Sequence, residues 1–292
     1  MKIYINRGTN YGPYGGGAKF VNALYENAET FGYTIVQPNE ADMLFAAGID
    51  VDGNFPSLHT LIELSMYTKK PVALRVNDCD ARKATNYLDK FLIEASKYVH
   101  TTVFVSHWMK NYFIERGWKC SNNHVIVNGV DHNLFKPAQK LNNGKVNVVT
   151  AHWSDNPMKT QGMNEFIDNL IGLHRDISFT YIGRTKAKLY NTTHIPPLPA
   201  DKLGAVLAKY DVCINASMHD PAPNAVIESV SCGLPTYVSH LGGGCIELAG
   251  EDHVYKDFTE VRDLLLGRNF VQNSTKFDDW KTCVKKYVDL LM

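Results

Sequence analysis

Two doubly wound α/β domains are what this sequence predicts. Three observations carry that reading. Short apolar runs alternate with helical patterns from end to end, as βαβ units and a parallel sheet require. The alternation breaks once, over 128–145, and then restarts. The chain has 292 residues, room for two domains of about 150 residues each.

The elements follow in order. "KIYI" (2–5) is the first strand candidate, and Phe20, Val21, Leu24 and Ala28 share one helical face over 17–29. "YTIV" (33–36) and "DMLFAAG" (42–48) read as strands. Ser57 stands where it would cap a helix bearing Leu58, Leu61, Ile62 and Leu64. "PVALRV" (71–76) is a strand, and a long helical pattern fills 80–98. "TVFVS" (102–106) and "HVIV" (124–127) flank a further helix. The stretch 128–145 has turn residues, a proline and no apolar period, so it reads as a linker. Beyond it come "VNVVTA" (146–151), a helix near 158–173, "ISFTYIG" (177–183), a helix at 200–209, "DVCINA" (211–216), a helix near 223–232 and "PTYVS" (235–239). In the tail, Trp280, Val284, Val288 and Leu291 fall on one face of a last helix. The expected division is therefore 1–140, 141–275 and a terminal helix over 276–292.

Composition removes several function classes. Lys plus Arg equals Asp plus Glu at 30 each, so no net field draws nucleic acid or an anionic membrane. No run approaches 18 apolar residues, so no membrane span is expected. The first residues turn polar too early for a secretory h-region. Six scattered cysteines without a CxxC pair fit neither a zinc ribbon nor a disulfide framework. A reducing, cytoplasmic setting is the expectation. The aromatic and basic stretch 104–120 suits either a peripheral contact with a lipid surface or an ordinary core-facing helix.

In open parallel sheets, ligands bind beyond the C-terminal strand ends, so the strand-to-helix loops hold the candidates. In the first, Gly15, Gly16 and Gly17 let backbone approach a ligand at a helix start, where free N–H groups favour a phosphate. The spacing is neither GxGxxG nor GxxxxGK[ST]. The first loop of the second half, "AHWSDNPMKTQG", offers His152, Ser154 and Lys159, the last a compact cation suited to a diphosphate. Arg184 follows Gly183 at a strand end, where a guanidinium clamps phosphate oxygens. The stretch "DPAPNAVIESVSCGLP" (220–235) then sets two carboxylates about a helix start. Pro223 leads into the N–H groups of Asn224, Ala225 and Val226, with Ser217 or Asn224 as candidate caps. Asp220 lies before that turn and Glu228 within the helix. Carboxylates accept hydrogen bonds and sugar hydroxyls donate them, so the pattern reads as hydroxyl, phosphate, hydroxyl: a sugar, its diphosphate and a ribose.

These stretches together resemble the retaining glycosyltransferases of family 4, the group 1 family. The resemblance runs through "GGGAKFVNAL", "VIVNGVDHNLFKP", "AHWSDNPMKTQG", the acid-x7-Glu pair Asp220 and Glu228, and "SCGLP" followed by Gly243, Gly244 and Glu247. It spans nearly the whole chain in order. It implies a GT-B fold, two Rossmann-like domains facing a central cleft, with the tail bridging back to the first. It implies Glu228 on the nucleotide ribose, Asp220 near donor-sugar hydroxyls, Lys159 and Arg184 on the diphosphate, and Gly16 and Gly17 approaching it from the other domain. It implies retention of anomeric configuration, no metal, and no cofactor besides the nucleotide sugar and a hydroxyl-bearing acceptor. Asp220 stands where the family carries Glu, the Lys-Gly pair is extended to "KTQG", and the arginine usual early in that loop is absent.

Three rivals stay open. Asp50-Val51-Asp52 and Asp78-Cys79-Asp80 have the D-x-D form of metal-dependent GT-A transferases. Under the GT-B reading, Asn77 and Asp78 instead line the acceptor side. The other two rivals are a nucleotide-sugar-binding protein without transfer activity and a GT-B epimerase of nucleotide sugars, which the acid-x7-Glu pattern disfavours.

Overall fold

The computed structural model describes residues 1–12, 14–49 and 55–291. The chain forms two compact units, Met1–Gly129 with Asp278–Met292, and Val130–Phe277.

The first unit contains β1 (Lys2–Ile5), α1 (Gly16–Asn27), β2 (Thr34–Ile35), β3 (Met43–Ala46), α2 (Leu58–Thr68), β4 (Val72–Val76), α3 (Asp80–Lys83), α4 (Leu88–Ala95), β5 (Thr101–Phe104), α5 (His107–Glu115) and β6 (Asn123–Val125). The strands pair in the order β2-β1-β3-β4-β5-β6, all parallel. Strand alternation divides the core in two. Tyr4, Leu44, Val72 and Leu74 face Leu58 and Leu61 of α2 and Leu92 of α4. Ile3, Ile5, Phe45 and Ala73 face Phe20 and Val21 of α1 and Tyr287 and Val288 of the C-terminal helix (Trp280–Leu291). Ser57 does cap α2, accepting the Thr60 N–H at 3.2 Å, and Ser106 caps α5 in the same way.

The second unit contains β7 (Val146–His152), α6 (Met163–Leu173), β8 (Ile177–Gly183), β9 (Thr193–Ile195), α7 (Ala200–Leu207), β10 (Val212–Asn215), α8 (Asn224–Ser231), β11 (Thr236–Ser239), α9 (Gly244–Ala249), β12 (Val254–Tyr255) and α10 (Phe258–Gly267). Its parallel order is β12-β11-β10-β7-β8-β9. The chain winds outward from β7 through β8 and β9, then returns to the other side of β7 as β10. A crevice opens at the carboxyl ends of two strands where winding reverses, here β7 and β10. Val148, Phe179 and Ile214 pack one sheet face against Ile167 of α6 and Val261 of α10.

The sequence reading contains no counterpart of β9, α9, β12 and α10, and three further stretches differ from it, each for a local reason. The pattern over 80–98 splits into α3 and α4 because Ala84 takes left-handed backbone, φ +54°. The Asp80 carboxylate turns onward and accepts the N–H groups of Leu88 and Asp89, at 2.9 and 3.1 Å, capping the next helix. The helix expected from 158 starts at Met163, after a 3-10 turn at Pro157–Lys159, because Gln161 and Gly162 both have positive φ. The stretch after residue 129 packs on the second unit: Phe135 is buried and the Leu141 N–H donates to the Lys209 carbonyl at 2.8 Å. A segment docked by single side chains has no period to read.

The aromatic stretch 104–120 is spent in the core. Phe113 and Trp118 are buried beside Phe104, and Trp108 and Tyr112 pack against the same cluster. No helix among the described residues is long and apolar enough to cross a membrane.

Arg75 of β4 is 1% exposed. It donates to Asn128 Oδ1 at 2.8 Å and lies 4.3 Å from the Phe20 ring centre, while its Nε has no hydrogen-bond partner among the described residues. A buried cation with incomplete hydrogen bonding contributes little net stability, and apolar replacements of similar volume are often neutral or stabilising, by about 1–4 kcal/mol in measured buried ion networks. Arg75→Met is therefore expected to melt at or above the wild-type temperature, as thermal denaturation followed by circular dichroism will show.

Candidate active site

The site residues of the second unit gather at the reversal point. β7 ends in His152, which pairs in register with Gly183 at the end of β8. Only glycine fits at 183: its φ is +151°, and a Cβ there would lie 1.8 Å from the His152 carbonyl oxygen. That contact turns the next residue, Arg184, outward beside Trp153. Arg184 Nη1 donates to the Trp153 carbonyl at 3.3 Å, and the guanidinium lies 5.5 Å from the indole centre. Arg184 is exposed, so its cation is available to a ligand at the strand end. His152 is buried and Ser154 half-buried; Ser154 Oγ accepts the Asn156 N–H at 3.3 Å, within the loop that carries Lys159.

Lys159 and Asp220 meet. They come from the loops after β7 and β10, and the Lys159 ammonium donates to Asp220 Oδ2. Their side chains are only 10% and 7% exposed. Backbone bonds stitch the two loops: the Met218 N–H donates to the Met158 carbonyl at 2.8 Å. The far side of the Asp220 loop is braced by the start of α9. Asp220 N–H donates to Gly242 O at 3.1 Å, and Gly244 N–H to Asp220 O at 2.9 Å. A Cβ on Gly244 would lie 1.9 Å from the Pro221 carbonyl oxygen, which accounts for glycine there.

α8 begins at Asn224 with Pro223 as its N-cap, and no side-chain oxygen caps it. This corrects the expectation that Ser217 or Asn224 closes the turn: Ser217 Oγ has no hydrogen-bond partner among the described residues, and Asn224 is the first helical residue rather than the cap. The Val226 N–H donates to the Pro223 carbonyl at 3.1 Å, and an anion is favoured at the N–H groups that open a helix before it. Ala225 is half-buried and Val226 buried. Glu228, one turn in, is 5% exposed. Its charge is one of the causes that push the Cys232 thiol up to about 12, after burial.

The first unit holds a second set. Gly15 is the N-cap of α1, which has no side-chain cap and no acid in its first turn; Gly16 and Gly17 open the helix. A Cβ at Gly17 would lie 2.9 Å from Arg7 Nη1 and 3.5 Å from Asn77 Nδ2. Arg7 therefore joins the glycine turn, a cation that sequence reasoning passed over. The signal was its place at the end of the first strand, the position that drew attention to Arg184.

Asp78 follows β4 and pairs with Lys83 at 2.9 Å. Burial raises its carboxyl above the usual range, while Lys83 and Arg82 oppose the shift. The second D-x-D triplet is thus divided in use, Asp78 on Lys83 and Asp80 on the α4 N-terminus; the first, Asp50-Val51-Asp52, lies outside the described residues. The raised Asp78 has a consequence for stability. Its favourable protonated form is fully present below the ordinary carboxylate range, and that stability is lost as pH rises through the raised folded value. Asp78→Asn should therefore melt like wild type in acid, below about pH 4, and above wild type at neutral pH. Thermal melts across that range check the crossover. Loss of the half-exposed Lys83 partner costs little, about 0–1 kcal/mol.

Two doubly wound parallel-sheet units of this kind define a GT-B fold. No family model matches the chain, and no curated protein matches its sequence. Solved structures share its fold. Anabaena HepE in complex with UDP and glucose superposes with a TM-score of 0.76 over 100% of this chain and 99% of its own, at 13% identity. Sucrose-phosphate synthase from Thermosynechococcus elongatus gives 0.72 over 100% and 98%, at 12% identity. WaaG, a glycosyltransferase involved in lipopolysaccharide biosynthesis, gives 0.61 over 99% and 95%, at 11% identity.

Proposed function

We propose that this chain is a retaining glycosyltransferase that moves a sugar from a nucleotide-diphosphate sugar to a hydroxyl acceptor without a metal ion. The observation that carries the reading is the constellation at the ends of β7, β8 and β10: Lys159, Arg184, Asp220, the uncapped α8 turn and Glu228 around one reversal point. HepE, whose fold this chain shares, was solved with UDP and glucose, and with UDP-glucose. WaaG is itself a glycosyltransferase.

In this reading Glu228 accepts hydrogen bonds from the ribose. Pro223, Asn224, Ala225 and Val226 present the helix start to the diphosphate, and Lys159 and Arg184 stabilise its charge as it departs. Asp220 faces the sugar hydroxyls. The acceptor oxygen bonds to the anomeric carbon on the face the diphosphate leaves. The carbon–phosphate-oxygen bond breaks, and the acceptor proton passes to the departing diphosphate, so configuration is kept. Gly16 and Gly17 are assigned to the diphosphate on the family resemblance, Gly15 on the glycine turn it shares with them, and Asp78 to an acceptor hydroxyl on its place just after β4. A reducing, cytoplasmic setting is the reading that six scattered, buried cysteines favour.

Incubation with UDP-, GDP- and ADP-sugars, in the presence of EDTA, tests the reaction by release of nucleoside diphosphate. Proton NMR of the first product then reads the anomer. Retained configuration is expected. An inverted anomer overturns the mechanism, and donor binding without release makes the chain a binding protein.

A further inference from the structure

We propose that the Lys159–Asp220 ion pair is a latch on the phosphate-binding cation, opened when a ligand's diphosphate takes the ammonium from the carboxylate. The inference rests on the donor-site reading above and adds a division of labour within it. Both groups are candidates for ligand contact, yet the structure spends them on each other.

The two partners are held very differently. The Asp220 backbone is itself braced twice, its N–H donating to Gly242 O and its carbonyl accepting from Gly244 N–H, while the Met218–Met158 bond ties the two loops to each other. The carboxylate is therefore the stationary member. Lys159 ends a single 3-10 turn and reaches Asp220 through its long, flexible side chain. Its four-carbon stem swings a compact charge with little backbone change. The ammonium is the member that moves.

Electrostatics supplies the selectivity. Opposite charges in contact offset each other's field. At rest Asp220 neutralises Lys159, so the site presents little net charge to a small monovalent anion. A nucleoside diphosphate, with more than one negative charge and its own anchoring at the ribose, competes successfully for the ammonium. Opening the latch also releases the Asp220 carboxylate, whose acceptor oxygens then suit the hydroxyls of a sugar attached to that diphosphate. One exchange thus couples recognition of the phosphate to recognition of the sugar.

Calorimetric titration of UDP, GDP and ADP into wild type, Asp220→Asn, Lys159→Met and the double variant tests this. Removing the competing carboxylate should tighten the nucleoside diphosphate, by about tenfold for one charge-assisted hydrogen bond. The double variant should lose that gain. A permanent sugar contact at Asp220 predicts instead unchanged affinity for the sugar-free diphosphate, and a structural brace predicts weakened affinity; either result overturns the latch. Should Asp220→Asn not fold, Asp220→Ser is read in its place, with the same tightening expected. Failure of both to fold makes the pair a structural brace and also overturns the proposal. If wild type binds none of the three nucleotides, the donor-site reading itself fails, a result distinct from the failure of the latch alone.

Discussion

Glu228→Ala is expected to weaken nucleotide binding at least tenfold while leaving the fold intact. The carboxylate is 5% exposed, on a helix that begins at the end of β10. A hydrogen bond to a charged group is worth about 1.5–3 kcal/mol, and each 1.4 kcal/mol is a factor of ten. The alanine removes the acceptor atoms but keeps the helix, since Val226, Ile227 and Val230 still bury the apolar face of α8. Glu228→Gln keeps an acceptor without the charge, so its loss should be smaller than alanine's. Affinity measured by calorimetry for both variants separates the ribose role from a merely favourable acid near a helix start. Equal and unchanged affinities would remove Glu228 from the site.

Lys159→Met should have the larger effect on rate. Removing one preorganised donor from a site of developing negative charge costs about 2.7–4 kcal/mol, or roughly 10²–10³ in turnover. Methionine keeps the length of the side chain and much of its packing. It also leaves Asp220 buried without its cation, which lowers stability by about 3–5 kcal/mol. Both effects are readable: nucleotide release under saturating donor for the first, thermal melting for the second. Pairing Lys159→Met with Asp220→Asn should restore most of the melting temperature but none of the turnover.

The central strands were legible because each is a short apolar run bounded by turn residues, and one-face, other-face alternation such as Ile3 and Ile5 against Tyr4 needs no tertiary knowledge; β9 and β12, at three and two residues, are too short to show it. The helix start capped by Ser57 was an equally local signal. The division of 80–98 was not, because it depends on where the Asp80 carboxylate reaches eight and nine residues ahead. The start of α6 was hidden for a similar reason: positive φ at Gln161 is not written in its residue type. Of the candidate site, the residue types and the loops that carry them were readable. The Lys159–Asp220 pairing was not, because the two lie 61 residues apart and meet only once the sheet order places β7 beside β10. Arg7 escaped notice because its partner Gly17 lies beyond the loop that joins them.

The most direct test of the central claim is calorimetric titration of the wild-type chain with UDP, GDP and ADP, each with and without EDTA. The account predicts that one of the three binds, with the same affinity in either buffer. Binding by none of them, or binding that EDTA abolishes, would contradict it.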